Sequence, residues 1–366
     1  MVRFIALSAL LALVLFVPAA HSQITVEQLL EQSGITPSGR PLSDSPDWAP
    51  VKKIVLREGI VDVAKLRELY SDVEFVSVTS SRNAAAQVAD ADALIGQCNA
   101  ALVAGAKRLR WVQRLAAGVE GCVEVPEIAS GQVILTNMQK IDSPIIAEHA
   151  IAMMMSLSRG LPGFARAMDD GVWDRSAQVR SKMTSVVGKK LLVVGLGGIG
   201  TEVARFGAAL GMQVSATRNS SRSGPDFVSY VGLTHELGSL AAKADVVVSA
   251  LPLTAATTDL FDQAFFSGLK SGAIFINVGR GKSVVTNDLL AALRSGHLGG
   301  AGLDVTAPEP LPADHPLWTL ANVIITPHLS SGGGERERRS VLLMENLRRF
   351  IEGDRLLNVV DPTRGY

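Results

Sequence analysis

From Val51 onward, short apolar runs alternate with stretches whose apolar positions recur at helical spacing. VKKIVL at 51–56, VEFVSVTS at 73–80, DALIG at 92–96, RLRWVQRLAAG at 108–118 and VILTNM at 133–138 read as buried strands, with VDVAKLRELY at 61–70 as a helix between the first two. Asp142-Ser143-Pro144 is a helix start, a capping side chain ahead of proline in the first turn, and the apolar period predicts one helix continuing to about Met168. A second series follows: KLLVVG, helical IGTEVARFGAALG, QVSATR, helical ELGSLAAKA, DVVVSALP, GAIFINVG, helical NDLLAALRSGH, AGLDV and NVIITPH. Strands that alternate with helices imply a parallel sheet covered on both faces, and there are enough here for two such sheets. A last helical stretch, 335–352, has no sheet of its own to cover and is expected to return to the first domain; its run from Glu335 to Arg339 reads as a solvated face.

Composition narrows the class. A chain of 366 residues, 47% hydrophobic with 34 glycines, is too long for one ordinary core, so two α/β domains are expected. Lys plus Arg and Asp plus Glu both number 35, and no long run of one sign supplies the field that nucleic-acid binding needs. Cys98 and Cys122, the two cysteines, exclude multi-cysteine zinc spacings; no metal site is expected. Both follow strand candidates in the first domain and are read as free thiols, with a pair between them as the alternative. Residues 1–22 have one cation, an apolar run and small residues before Gln23, which reads as a signal peptide or an uncleaved membrane anchor. Residues 23–50, with prolines at 37, 41, 46 and 50, read as an exposed leader.

The chemistry begins at VVGLGGIG. Gly195, Gly197 and Gly200 follow an apolar strand and open a helix, the context a dinucleotide fingerprint requires: a tight turn, close approach to a pyrophosphate, and close helix packing. Polar groups at the carboxyl ends of later strands then select the reaction. Arg280 lies between Gly279 and Gly281, Asp304 ends AGLDV, Glu309 lies in PEPLP, and His328 follows Pro327. Reduction of a 2-keto acid needs a guanidinium fork for the carboxylate and carbonyl, an imidazole to give a proton, and a carboxylate to orient that imidazole. Where NAD-preferring enzymes place an acid after the second strand, this chain has Arg218, followed by Asn219, Ser220, Ser221 and Arg222. That substitution predicts NADP(H) in preference to NAD(H).

AEHAIAMM at Ala147, VVGLGGIG at 193–200, NVGRG at Asn277, GLDV at Gly302, PEPLP at Pro308 and PHLS at Pro327 occur in an order and spacing that resemble the D-isomer-specific 2-hydroxyacid dehydrogenase family, over about Val51 to Leu357. The resemblance implies a Rossmann NAD(P)-binding domain, 146–329, inserted in a flavodoxin-like substrate domain, 51–145 with 330–366, both doubly wound parallel sheets. It implies Arg280, Glu309 and His328 as catalytic residues, with Ala117, Gly118 and Val119 joining Arg280 around the substrate. The cofactor residues implied are Gly195, Gly197, Gly198, Ile199, Gly200, Arg218, Leu251, Pro252, Val278, Arg280, Asp304 and His328. The expected partner is a small 2-keto or 2-hydroxy acid, the expected assembly a homodimer, and a membrane enters only if the N-terminal segment stays uncleaved. His149, His235, His297 and His315 are read as structural. Glu309 argues against a formate dehydrogenase, whose pattern resembles one with an amide at that place. A co-repressor-like dinucleotide sensor with little turnover is the alternative function. Export, as the leader suggests, and free nicotinamide cofactor, which is scarce outside the cytoplasm, pull in opposite directions.

Overall fold

The computed structural model describes residues 24–176, 183–334 and 336–365, so the segment expected to be a signal or anchor lies outside it. The first sheet is formed by β1 (Lys53–Arg57), β2 (Glu74–Val78), β3 (Ala93–Ile95), β4 (Trp111–Gln113) and β5 (Ile134–Thr136), in the order β2-β1-β3-β4-β5. All its strand pairs are parallel, and the order is the flavodoxin-like one. The second is formed by β6 (Lys190–Val194), β7 (Gln213–Arg218), β8 (Tyr230–Leu233), β9 (Val246–Ser249), β10 (Ala273–Asn277), β11 (Leu298–Leu303) and β12 (Val323–Ile325). Its order, β12-β11-β10-β9-β6-β7-β8, reverses between β6 and β9, the switch point where such sheets bind ligands. β8 is the strand that periodicity misses, because YVGL is four residues at a sheet edge with a glycine inside.

Ahead of the first sheet lies α1 (Val26–Ser33), and within or beside it α2 (Val63–Leu69), α3 (Ser81–Ala85), α4 (Ala100–Gly105) and α5 (Pro126–Ala129). The expected long bridging helix is two helices, α6 (Ser143–Ser158) and α7 (Leu161–Asp169). Gly160 breaks it in the left-handed region at φ 66°, with Pro162 in the first turn of α7. Asp142 precedes α6 as expected but makes no cap; both its carboxylate oxygens accept from Arg339, at 2.8–3.2 Å. In the second domain α8 (Gly198–Ala209) follows the glycine loop, and α9 (Leu237–Ala241), α10 (Gln263–Gly268) and α11 (Thr286–Arg294) cover the sheet.

The last helix, α12 (Arg336–Glu352), returns to the first sheet as expected, and Leu342, Leu343, Leu347 and Phe350 share one core with Ile54, Phe75 and Trp111. Its charges are not simply a solvated face: Arg338 donates to Gln32, Arg339 to Asp142, and Glu337 accepts from Ile24. The exposed-leader expectation also needs correction. Residues 38–50 are largely solvent-facing, but α1 has a Thr25–Gln28 capping box and buries Leu29, with Ile35 just after it, in the core that α12 completes. Trp48 stands edge-on to Phe350 with Arg110 over its ring. Prolines rule out regular structure only where they stand, and the eight residues of α1 contain none. No helix among the described residues is long and apolar enough to cross a membrane.

Candidate active site

The glycine loop has the backbone that a dinucleotide needs. Gly195 adopts φ 95°, and a Cβ on Gly200 would stand 2.0 Å from the Gly195 carbonyl oxygen, so helix and strand meet only if both are glycine. A Cβ on Gly197 would meet nothing within 4 Å, which leaves the backbone open to a pyrophosphate at the amino end of α8. Ile199 turns inward to the core. Leu251 and Pro252 follow β9, and Leu251 lies between Gly195 and Gly279 at the switch point. Val278 is buried, its N–H bonded to Ser249. These residues fit an extended dinucleotide across the carboxyl ends of β6 and β9.

Arg218 ends β7 as expected, its guanidinium donating to the Ser223 carbonyl at 2.9 Å. Arg222 is engaged elsewhere. It pairs with Glu236 at 2.7 Å and donates to Tyr230 at 2.9 Å. The Glu236 carboxyl is lowered to about 2 by the Leu233 N–H, then Tyr230 and Arg222.

Arg280 follows β10 on a turn that the fully buried Asn277 builds: its side chain donates to the Arg280 carbonyl and accepts from the Gly279 N–H, both at 3.0 Å. Ser283 donates to the same carbonyl at 2.7 Å. The guanidinium crosses to the first domain, where Nε donates to Glu120 Oε1 at 2.6 Å, while Nη1 donates to the Gly279 carbonyl at 2.8 Å. Glu120 was missed from sequence. It directly follows Ala117, Gly118 and Val119, but only the fold brings that loop to a residue 160 positions away. Burial raises the Glu120 carboxyl, and the Arg280 bonds and charge outweigh it, leaving the group below its ordinary value. Gly118 lets the pair close over the loop, since a Cβ there would stand 2.1 Å from Arg280 Nη2 and 2.6 Å from Glu120 Oε2 and would push these side-chain ends aside.

Asn137 and Met138 hold the Ala117 and Ala116 carbonyls at 2.7 and 3.1 Å. Among the described residues, the N–H groups of Ala117, Gly118 and Val119 donate to no protein acceptor, which suits them to a ligand carboxylate beside Arg280. Cys98 and Cys122 form a disulfide, Cα atoms 5.8 Å apart, so the free-thiol expectation gives way to a staple between the loops after β3 and β4.

His328 Nδ1 and Glu309 Oε1 are 2.7 Å apart, both about half exposed, leaving Nε2 for another partner. His328 sits at φ 54°, a left-handed conformation that a non-glycine residue keeps only when its surroundings enforce it. Asp304 enforces it. Its carbonyl accepts from the His328 N–H at 2.8 Å, and its buried carboxylate accepts from Thr326 at 2.7 Å, Leu329 at 2.9 Å and Ser330 at 3.1 Å. Burial raises the Asp304 carboxyl, and those hydrogen bonds bring it below its ordinary value. Its carboxylate thus braces the turn that presents His328. His149 joins the network through Thr326 at 2.9 Å, consistent with a structural role. His315 accepts from the Leu317 N–H, and His235 is an exposed residue near Glu236. Among the described residues no cluster suits a metal ion.

The profile of the D-isomer specific 2-hydroxyacid dehydrogenase NAD-binding domain matches residues 151–330. Glyoxylate/hydroxypyruvate reductase B of Citrobacter koseri is 33% identical over 279 residues, 75% of this chain and 86% of that protein. The Escherichia coli protein of the same name is 32% identical over 285 residues, 76% and 87% of the two chains. A D-isomer specific 2-hydroxyacid dehydrogenase from Xanthobacter autotrophicus, solved with NADPH and MES, superposes with a TM-score of 0.73 at 28% identity, covering 87% of this chain and 100% of that one. An NADPH-dependent glyoxylate/hydroxypyruvate reductase from Sinorhizobium meliloti, solved with NADP and sulfate, gives 0.71 at 25% identity over 86% and 100%. With relatives this similar along most of its length, the chain belongs to the D-isomer-specific 2-hydroxyacid dehydrogenase family, NAD(P)-dependent oxidoreductases of small 2-hydroxy and 2-keto acids.

Proposed function

We propose that this enzyme reduces a small 2-keto acid, of the size of glyoxylate or hydroxypyruvate, with NADPH, and that Arg280, Glu309 and His328 perform the chemistry. The observation that carries the reading is the His328–Glu309 pair at 2.7 Å, with His328 following β12, Glu309 following β11 and Arg280 following β10, three successive strands of the sheet. The Ala117, Gly118 and Val119 amides and the free N–H groups of Arg280 hold the substrate carboxylate, and Arg280 polarises the C2 carbonyl. The bound reduced cofactor, held by the glycine loop, Leu251, Pro252 and Val278, supplies the hydride to C2. His328 gives its Nε2 proton to the carbonyl oxygen, which becomes the hydroxyl of a 2-hydroxy acid, and Glu309 on Nδ1 fixes the orientation of the ring. The reverse direction uses His328 as the base.

Arg218 in place of an acid, together with NADP-bound relatives, supports NADPH over NADH. Residues 51–145 with 330–366 would bind substrate and 146–329 the cofactor. A homodimer is the proposed assembly, and residues 1–22 are proposed to export or anchor the chain; sequencing the mature amino terminus after cell fractionation tests the latter. Turnover is tested with glyoxylate and hydroxypyruvate, following loss of reduced-nicotinamide absorbance with each cofactor. Consumption with higher catalytic efficiency for NADPH is expected. Binding without consumption would replace the enzyme by a dinucleotide sensor, and equal or better efficiency with NADH would remove the cofactor preference.

A further inference from the structure

With Arg222 engaged by Glu236, Arg218 has no cationic partner from its own loop. One arrives from the crossover that enters α6. Lys140 holds φ 69°, again in the left-handed region that disfavours a side chain, and its stem lies against the start of α8: a Cβ on Gly198 would stand 3.0 Å from Lys140 Cγ and 2.7 Å from Ser143 Oγ. The Lys140 ammonium donates to the Gly34 carbonyl at 2.6 Å, at the end of α1. So the N-terminal segment, docked on α12, supports a lysine that leans over the phosphate loop.

Lys140, Ser143, Gly197, Gly198, Arg218 and Arg338 are among the residues lining one cavity of about 260 Å³. Among the described residues, none of its three cations has a carboxylate within ion-pair distance, and its acid, Glu202, is held by Arg205 at 2.6 Å. Arg338 has a buried Nε with no partner and reaches Gln32 only through Nη1. Burial lowers the Lys140 ammonium, and the nearby charge of Arg218 lowers it further. Like charges gathered at the positive end of a helix repel one another unless an anion joins them.

We infer that Lys140 and Arg218 together receive the 2′-phosphate of the cofactor, Lys140 reaching it from the crossover between the two domains. This rests on the NADPH preference proposed above. Lys140 is assigned to the 2′-phosphate rather than the pyrophosphate because it lines one cavity with Arg218, whereas the pyrophosphate already has the free N–H groups of α8.

The test is a fluorescence titration of the full chain with NADPH, NADH and adenosine 2′,5′-bisphosphate, on wild type, Lys140→Gly and Lys140→Arg. Glycine suits φ 69°, so the first variant removes the cation without straining the turn. Lys140→Gly is expected to weaken NADPH and the bisphosphate about tenfold or more while NADH changes less than about twofold, and Lys140→Arg to keep most of the affinity. Equal weakening of NADPH and NADH, or no weakening of either, overturns the inference. If wild type prefers NADPH and Lys140→Gly keeps that preference undiminished, only the role of Lys140 falls. If wild type itself binds the two cofactors equally, the cofactor reading falls first and the inference with it.

Discussion

The carboxyl ends of the two sheets are organised by different means. In the seven-stranded sheet, Arg280 and His328 each stand on a turn braced from inside their own domain: Asn277 holds the turn of Arg280, and Asp304 the turn of His328. In the five-stranded sheet, the loop from Ala116 to Cys122 presents mainly backbone and is held by longer ties. These are the disulfide to Cys98, the bonds from Asn137 and Met138, and the Glu120–Arg280 pair across the cleft. Local braces fix the two side chains proposed for the chemistry; distant ties suit a loop proposed to admit and release a substrate.

The largest test of this contrast is His328→Ala, which should lower keto-acid reduction by about 10²–10⁴-fold and leave NADPH affinity nearly intact. Near-wild-type turnover would remove His328 from the chemistry. Replacing both cysteines by serine opens a ring with a separation of 24 residues and should lower stability by about 2–4 kcal/mol, read from denaturant curves. Protein whose two thiols both alkylate without reduction would show there is no staple to remove. For Glu309→Gln, a fall in the rate of reduction smaller than that of His328→Ala is expected, because an amide holds the ring at Nδ1 less firmly than a carboxylate does.

The smallest effect belongs to the cleft-crossing pair. Glu120→Ala should lower kcat/KM about tenfold with cofactor affinity unchanged, and Glu120→Gln, which keeps an acceptor for Arg280, should recover most of it. Improved substrate affinity in either variant would mean that Glu120 competes with substrate for Arg280 instead of aligning it. The pair also has a pH signature. With the Glu120 carboxyl lowered in the folded state, its contribution is present above the ordinary carboxylate value and is lost as pH falls through the folded one. The stability gap between wild type and Glu120→Gln should therefore close only in acid; a gap independent of pH would mean the charge is not what matters.

How much of this was legible in the chain follows the same division. The glycine loop, Arg280, Glu309 and His328 were readable because each sits where a strand or helix boundary is written in neighbouring residues. Glu120 and Lys140 were not, since nothing beside them specifies that one will meet Arg280 and the other will lean on Gly198. Asp304 was readable as important, but its commitment to the His328 turn needed coordinates. The break at Gly160 was overridden by an apolar period that runs through it, and α1 was hidden by the prolines that follow.

The return of α12 to the first sheet reverses the order in which the halves of the molecule can be completed. β6 to β12 are contiguous and can close their own core as soon as residue 325 has been made. The first sheet must wait for Leu342, Leu343, Leu347 and Phe350, which fill the space beside Trp111 and Phe75. During synthesis the half made first is therefore the half finished last, and its apolar face stays uncovered while nearly the whole chain is produced.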